Sequence, residues 1–586
     1  MPIINCPVCG NRVSNLAPTC VYCGASIEKN DESSAVYEIR NKTLIKYNGK
    51  RAVISIPGEV ETIGRGAFEG CDTVKHVIVG DSLKAIGDLA FSGCSSLERI
   101  TVSDGVTSIG FRAFAECVSL REIVLPHTVE SIGDRAFENC SSIVSLDIPK
   151  GIINVGKEAF FGCASLADVS FSDSVTSIGY EAFAHCTSLS RVQFGKNLAS
   201  IGGRAFFECA SLRAVGFPDS LSIVGEEAFF GCTALSKIEF GEGITSIGMM
   251  AFSGTTSLES ISLPQSLTSI GIKAFTGCEG LIEVNFSEGL RDIGSEAFKG
   301  CTSLTHVSIP KSVKIFGFEV FCDCPSLKGI EIGSIKRWCS VEFSLAKGHP
   351  QPYEKRLSVD GALIRELVIP EEVTNVNGAA FANCLDIISA KVSEGVLGIG
   401  NQAFLNCIRL YDITLPETLS SIGREAFYNC SSLGAIDIPD GVLGISTGAF
   451  GECIRLNRVK MGKGIKTIDA LAFKNCTKLR EIELGEGVTS IAKGAFEGCS
   501  VLERIIVNRN IESIGAGAFE GCTSIKEIFF KCALEEMPRM IVGENPELDE
   551  ANVYYYSEEM PEGIGAFWHY DENGEIAVWA MEESDF

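Results

Sequence analysis

An alanine–phenylalanine pair returns along this chain at one fixed interval, and that interval constrains the possible folds more than any other feature. The phenylalanine stands at Phe68 and at every twenty-third residue to Phe321. It resumes from Phe381 to Phe519 at the same step, giving 19 units. A repeat this short cannot enclose a core, so its apolar residues must be buried against the copies before and after it. Length alone, at 586 residues, suggests about four domains. The period replaces that estimate with an array of stacked coils.

Within a unit, Leu97-Glu-Arg-Ile100-Thr-Val102 has the Leu-x-x-Leu-x-Leu spacing of a short strand, with Val106 and Ile109 on the return side. Alternation turns Ile100 and Val102 inward and Arg99, Thr101 and Ser103 outward. Ala90-Phe91 closes the coil, and the expected form is a helical or 3₁₀ turn. The residue before the phenylalanine is Ala in 18 units and Val320 in the other. Four residues before it stands Gly in 15 units, with Asn377, Ser446, Asp469 and Ala492 as exceptions. Two explanations stay open for that glycine: a positive φ or close backbone packing. Leu120-Arg-Glu-Ile-Val-Leu125-Pro126 through Ala136-Phe137 and Cys140 resembles the unit of the BspA-like (treponemal-type) leucine-rich repeats, over about residues 37–531. The resemblance implies a curved solenoid used for binding, usually of proteins, and in many relatives displayed outside the cell.

The 25 cysteines form two populations. Eighteen stand three residues after the repeat phenylalanine, from Cys71 to Cys324 and from Cys384 to Cys522, with Thr255 in the remaining unit. A ladder tied to the core period reads as buried free thiols rather than disulfides. Cys322, Cys339 and Cys532 lie off it without an assigned role. The second population is Cys6-Pro7-Val8-Cys9-Gly10 followed by Cys20-Val21-Tyr22-Cys23-Gly24. Two Cys-x-x-Cys knuckles can place four thiolates around one tetrahedral ion, and each glycine lets backbone N–H groups face the sulfurs. One structural zinc on Cys6, Cys9, Cys20 and Cys23 is the reading adopted; two disulfides, or iron in an S₄ site, are the alternatives. The segment looks like the short zinc ribbons that open many bacterial proteins.

Other motifs dissolve into the repeat. Gly151-Ile-Ile-Asn-Val-Gly156-Lys157-Glu158 nearly matches a phosphate-binding loop, but Glu158 replaces the magnesium-binding hydroxyl. Gly444-Ile-Ser446-Thr-Gly448 matches a nucleophile elbow on paper, yet Ser446 fills the recurrent glycine position. His76 and His306 fall at outward strand positions and read as solvated surface. The sequons at Asn139, Asn429 and Asn475 each wrap a ladder cysteine. Between Phe321 and Phe381 one coil carries 14 extra residues, including Trp338, Phe343 and His349-Pro-Gln-Pro352. The expectation is a packed irregularity, with Trp338 plugging a gap.

The expected organisation is a zinc ribbon (1–27), a linker (28–36), an N-terminal cap (37–56), a first repeat block (57–330), an irregular inserted coil (331–366), a second block (367–531) and an acidic cap (532–586). The fold class expected is an α/β-type repeat solenoid of about 19 coils of 23 residues, mostly short strands with few helical turns. No run of about 18 apolar residues is present, so no membrane-spanning helix is expected. A formal charge of −25 fits a nucleic-acid backbone poorly, and residues 532–586 hold 15 acids against the single base Arg539. MPIINCPVCG lacks the basic and apolar regions of a secretory signal, so a cytoplasmic location is expected, with cell-surface display as the alternative. The function expected is non-enzymatic binding of a protein partner, with no nucleic acid, no membrane and an oligomeric state left open. Candidate partner-binding residues are the outward Arg99, Thr101, Glu122, Lys237, Glu239, Arg458, Lys460, Glu481 and Glu483.

Overall fold

A computed structural model of the chain describes residues 3–5, 12–14, 36–344, 356–536, 541–561 and 566–579. It divides into two compact units, Met1–Leu304 with Glu319–Ser326, and Thr305–Phe318 with Leu327–Phe586. Both are β-solenoids. The Leu-x-x-Ile segment of each coil forms a rung of a parallel front sheet, paired 23 residues along, as in Glu122↔Arg99 and Ile123↔Ile100. Leu97 and Ile100 face inward and are buried, whereas Arg99 and Thr101 are exposed.

A second parallel sheet, unforeseen from the sequence, runs along the return side. Its rungs are two residues long, such as Ala85–Ile86, Ser108–Ile109 and Ser131–Ile132. Among the described residues eleven such rungs lie in the first unit, preceded by the longer strand Thr43–Tyr47, and ten lie in the second, so the array has about 22 turns rather than 19. The extra turns are coils without an Ala-Phe pair, one at each terminus and one in the interruption. The α/β expectation is also corrected: among the described residues the only α-helix is Ile335–Cys339, and no helix is long and apolar enough to cross a membrane.

The Ala-Phe segment is neither helical nor 3₁₀. Its N–H groups point along the array, Leu89 N–H to Phe111 O (2.8 Å), Phe91 N–H to Ala113 O (2.7 Å) and Gly93 N–H to Ala115 O (2.7 Å). Aiming alternate N–H groups in one direction requires left-handed backbone two residues before and two after the phenylalanine, as at Leu89 (φ 56°) and Gly93 (φ 72°). The recurrent glycine four residues before the phenylalanine has ordinary φ. A Cβ on Gly110 would stand 2.6 Å from Asp88 N and one on Gly87 would stand 2.7 Å from Ile63 O, so close backbone packing is the reason for it. Ser446 fills that position by donating to Ile422 O at 2.6 Å. The sequon asparagines supply left-handed backbone two residues after the phenylalanine, and their side-chain amides donate to Glu116, Asn406 and Glu452.

Strand spacing of about 4.8 Å brings the phenyl rings into a stack. Phe91, Phe114, Phe137 and Phe160 follow one another at 5.1–5.2 Å and within 4° of parallel. The cysteine ladder is part of the same bonding. Sixteen of its thiols donate to the phenylalanine carbonyl 26 residues earlier, as Cys140 Sγ does to Phe114 O at 3.0 Å. The other two, Cys71 and Cys384, open the two blocks, where no such phenylalanine precedes them. Burial pushes the Cys186, Cys232 and Cys453 thiols up to about 12. All 21 described cysteines are free thiols.

Where the repeat begins or stops, other groups take over these bonds. The first coil is covered by the hairpin Tyr37–Arg40 with Thr43–Tyr47. Tyr47 N–H donates to Ala67 O (2.9 Å), and the Tyr47 ring lies 5.1 Å from that of Phe68. In the second unit, the interruption contains an ordinary rung at Ile330–Ile332, then the helix Ile335–Cys339 in place of an Ala-Phe turn. A second rung, Leu357–Val359, folds back on Ala362–Leu363. Trp338 is buried there against Phe316 and Phe343, and its indole N–H donates to Ala380 O at 2.8 Å. That packed role matches the expectation for Trp338, while His349 to Pro352 lie outside the described residues. Cys339 is buried, with its carbonyl accepting from Asn377 N–H. At the far end, Gly517 N–H donates to Glu544 O, Phe519 N–H to Asn545 Oδ1 and Gly521 N–H to Glu547 Oε1.

Two substitutions test this ledger of contacts. Phe114→Ala should cost about 3–5 kcal/mol, read as local opening by hydrogen exchange in the flanking coils because long arrays do not melt in two states. Cys140→Ser should cost less than about 1 kcal/mol, since a hydroxyl can make the same bond to the Phe114 carbonyl. Equal effects from the two would show that the ladder is mere filling.

Candidate functional site

Strand alternation and unbroken register place the outward residues of the front sheet in columns, with neighbouring rungs about 4.8 Å apart. All nine candidate residues are exposed there: Arg99, Thr101, Glu122, Lys237 and Glu239 in the first unit, and Arg458, Lys460, Glu481 and Glu483 in the second. Inward neighbours hardly vary (Ile100, Ile123, Ile238, Val459, Ile482), whereas the outward identities change from rung to rung. The face is therefore a set of independent surface choices on a constant frame.

Its charges are largely paired. In the first unit, Arg99 Nε is 4.0 Å from Glu122 Oε2, Arg191 is 3.9 Å from Asp168, and Lys237 is 2.5 Å from Glu239. Between these pairs lies a flat, small stretch at Ala214 and Gly216, and Val124 is exposed over 67% of its surface. In the second unit, Arg458 is 2.9 Å from Asp437, Arg504 lies between Glu481 (3.8 Å) and Glu527 (2.7 Å), and Lys531 pairs with Glu483. Such exposed pairs contribute little to stability, which leaves them free to exchange partners. Partial desolvation of the half-exposed Glu481 side chain raises its carboxyl above the ordinary range; Arg504 opposes this, and Glu483, Glu575 and Glu527 add to it.

The last rungs differ in a way that the sequence reading missed. Ile506 and Phe529 occupy outward positions, yet they are buried with Trp568 in one cluster, flanked by Tyr554, Tyr556 and Ile576. Phe567–Tyr570 extends the sheet beside Asn552–Tyr556 and then turns back on Ile576–Val578. Trp568 packs edge-on against Phe529 at 5.7 Å and donates its indole N–H to Phe530 O. The terminal strands thus cover the front face rather than only the end of the core. The signal was available: Arg504-Ile-Ile-Val and Glu527-Ile-Phe-Phe put apolar residues, in two successive rungs, in a column that is mostly polar or small elsewhere.

Cys6, Cys9, Cys20 and Cys23 lie outside the described residues. The two strands that bracket the first knuckle, Ile3–Asn5 and Arg12–Ser14, pair antiparallel. Among the described residues no group of three metal-ligating side chains occurs. His76, half-buried, is 4.0 Å from Glu98, and Glu158 is buried against Arg135 and Lys157, so neither decoy belongs to a reactive cluster.

The BspA-type leucine-rich repeat region model matches the chain in six copies, over residues 37–166, 107–235, 154–261, 200–328, 360–477 and 445–554. No curated protein matches it. Among solved structures, a leucine-rich repeat protein from Bacteroides ovatus is 22% identical over 89% of this chain and 97% of its own, with a TM-score of 0.33. A leucine rich cell surface protein from Faecalibacterium prausnitzii is 21% identical over 86% and 95%, with a TM-score of 0.23. A T. pallidum leucine-rich repeat protein is 25% identical over 36% and 78%, with a TM-score of 0.24.

The raised Glu481 gives a test with a definite sign. A carboxyl whose folded pKa exceeds its unfolded value has its charged form disfavoured by the fold, so its ionisation costs stability as pH rises through that window. Glu481→Gln should therefore stabilise the C-terminal coils at pH 7 and leave them unchanged near pH 4. A stabilisation that is equal at both pH values would rule this origin out.

Proposed function

Because this chain belongs to the BspA-type leucine-rich repeat family, we propose that it is a non-enzymatic scaffold that binds a protein through the front sheet. One observation carries the reading: the inward positions of the rungs stay aliphatic while the exposed outward positions change from coil to coil. A mixed-sign face of small and polar side chains suits extended recognition across several rungs rather than one deep pocket. The partner is a folded or extended protein, not nucleic acid, given the −25 formal charge.

The test is a scan of outward pairs against a partner captured from native lysate. Paired Lys237→Ala and Glu239→Ala changes should leave stability within about 1 kcal/mol. The scan should trace a contiguous footprint in which a few pairs cost tenfold or more in affinity. If every front-sheet pair is silent while removal of residues 338–352 or 1–27 ends binding, the sheet is only a spacer.

The N-terminal segment is proposed to be a zinc ribbon, with Cys6, Cys9, Cys20 and Cys23 as ligands. What supports it is the donor set, four thiols in two knuckles, and the antiparallel strands that bracket Cys6 and Cys9. Four protein ligands leave no open coordination position, so the ion would be structural. Thiolate ligands, and a buried ladder whose thiols sit at hydrogen-bonding distance from backbone carbonyls, favour a reducing compartment, and the location proposed is cytoplasmic. Protein purified without added metal should carry one zinc per chain, which Cys20→Ser abolishes without disturbing the solenoid. With zinc chelated in denaturant, nearly all 25 cysteines should titrate as thiols. Iron absorption or no metal would sink the ribbon, and a largely oxidised ladder would move the protein to the cell surface as an adhesin.

A further inference from the structure

The phenyl stack of the second unit ends one turn before its coils do. Phe496 and Phe519 lie 5.2 Å apart and 2° from parallel, like the rings before them. One turn on, the back-sheet rung Ile541–Val542 still pairs with Ser513–Ile514. The hydrogen bond from Gly517 N–H to Glu544 O also keeps the pattern of earlier coils, such as Leu89 N–H to Phe111 O and Gly448 N–H to Ala470 O. Counting from that bond, Glu547 occupies the phenylalanine position. Its carboxylate instead accepts from Gly521 N–H at 3.0 Å, so no ring follows Phe519. A cavity of about 230 Å³ is left at that end of the core. Phe519, Leu484 and Ile491 wall its depth, and Val542, Leu548 and Tyr555 stand at its mouth. Among the described residues that line it, none is charged. Phe519 is buried, whereas Val542 is 47% exposed, which places the opening on the solvent side of the last turn.

We propose that this slot binds a small, flat, uncharged aromatic group stacked on Phe519, in the place of the ring that the last turn lacks. A dry apolar cavity of about 150 Å³ is large enough for benzene, so this one has room for a bicyclic ring. Its lining offers no counter-charge, which excludes ionised ligands by their desolvation cost. The parallel phenyl wall favours a planar ligand over a branched or flexible one. The site is independent of the front-sheet reading, since its lining lies inside the coils.

The probe is naphthalene, added to the full chain and followed by ligand-observed NMR and by its own fluorescence. Saturable binding to a single site is expected, with n-decane at least tenfold weaker. Leu484→Phe at the floor and Leu548→Trp at the mouth should each fill the slot and weaken naphthalene at least tenfold. If either filled variant fails to fold by circular dichroism, Val553→Ala, which enlarges the slot, should shift preference from naphthalene toward anthracene. Absence of saturable binding, decane binding as tightly as naphthalene, or affinities and preference unchanged in the variants would each overturn the proposal.

Discussion

Hydrogen bonds from one coil to the next, each kind repeated at the 23-residue period, are what the rest of this molecule depends on. In the Ala-Phe segment they have a direction: each coil donates to the one that follows and accepts from the one before. No coil is satisfied alone, and each place where the repeat begins or ends needs a substitute. Tyr47 N–H supplies a donor at the first coil, the Trp338 indole supplies one to Ala380 O, and Asn545 and Glu547 supply acceptors at the last. Buried backbone groups left unpaired are costly, so these few residues decide where an array can stop.

The same demand explains an expense that recurs in most coils. Leu89, Arg112, Arg135 and Glu158 hold positive φ, which costs a non-glycine residue of order 1 kcal/mol or more. Stacking offsets it, because each left-handed residue aims an N–H at a waiting carbonyl. Asparagine or glycine two residues after the phenylalanine reduces the cost in many coils, as at Asn139 and Gly162. Thiols complete the arrangement by giving the phenylalanine carbonyl a second donor.

Much of this was legible in the chain itself. Period 23, the inward Leu97 and Ile100, the outward Arg99 and Lys237, and the thiol ladder all follow from residue spacing, because identical neighbours amplify a weak local pattern. The second sheet was not, since rungs of two residues carry no alternation to read. The turn conformation was misjudged because Ala-Phe looks helical by composition, while the deciding signal sat two residues later in the run of Gly and Asn. The front-face role of Trp568 was missed because residues 532–586 were read by their charge, as an acidic cap, although Ile506 and Phe529 marked its seat. The empty ring slot beyond Phe519 depends on where Glu547 points, which spacing cannot supply.

The one-way bonding of the Ala-Phe segment also has an electrical side. In a helix, aligned peptide units sum to a macrodipole with a partial positive charge at the end that presents N–H groups. Here three peptide units per coil are aligned in the same sense without any helix, so that column is polarised along its length. In the second unit its positive end lies at Gly517, Phe519 and Gly521, where the Glu547 carboxylate sits. Adding coils to such a column lengthens the dipole but leaves the charge at its tip unchanged. One well-placed carboxylate therefore serves an array of any length.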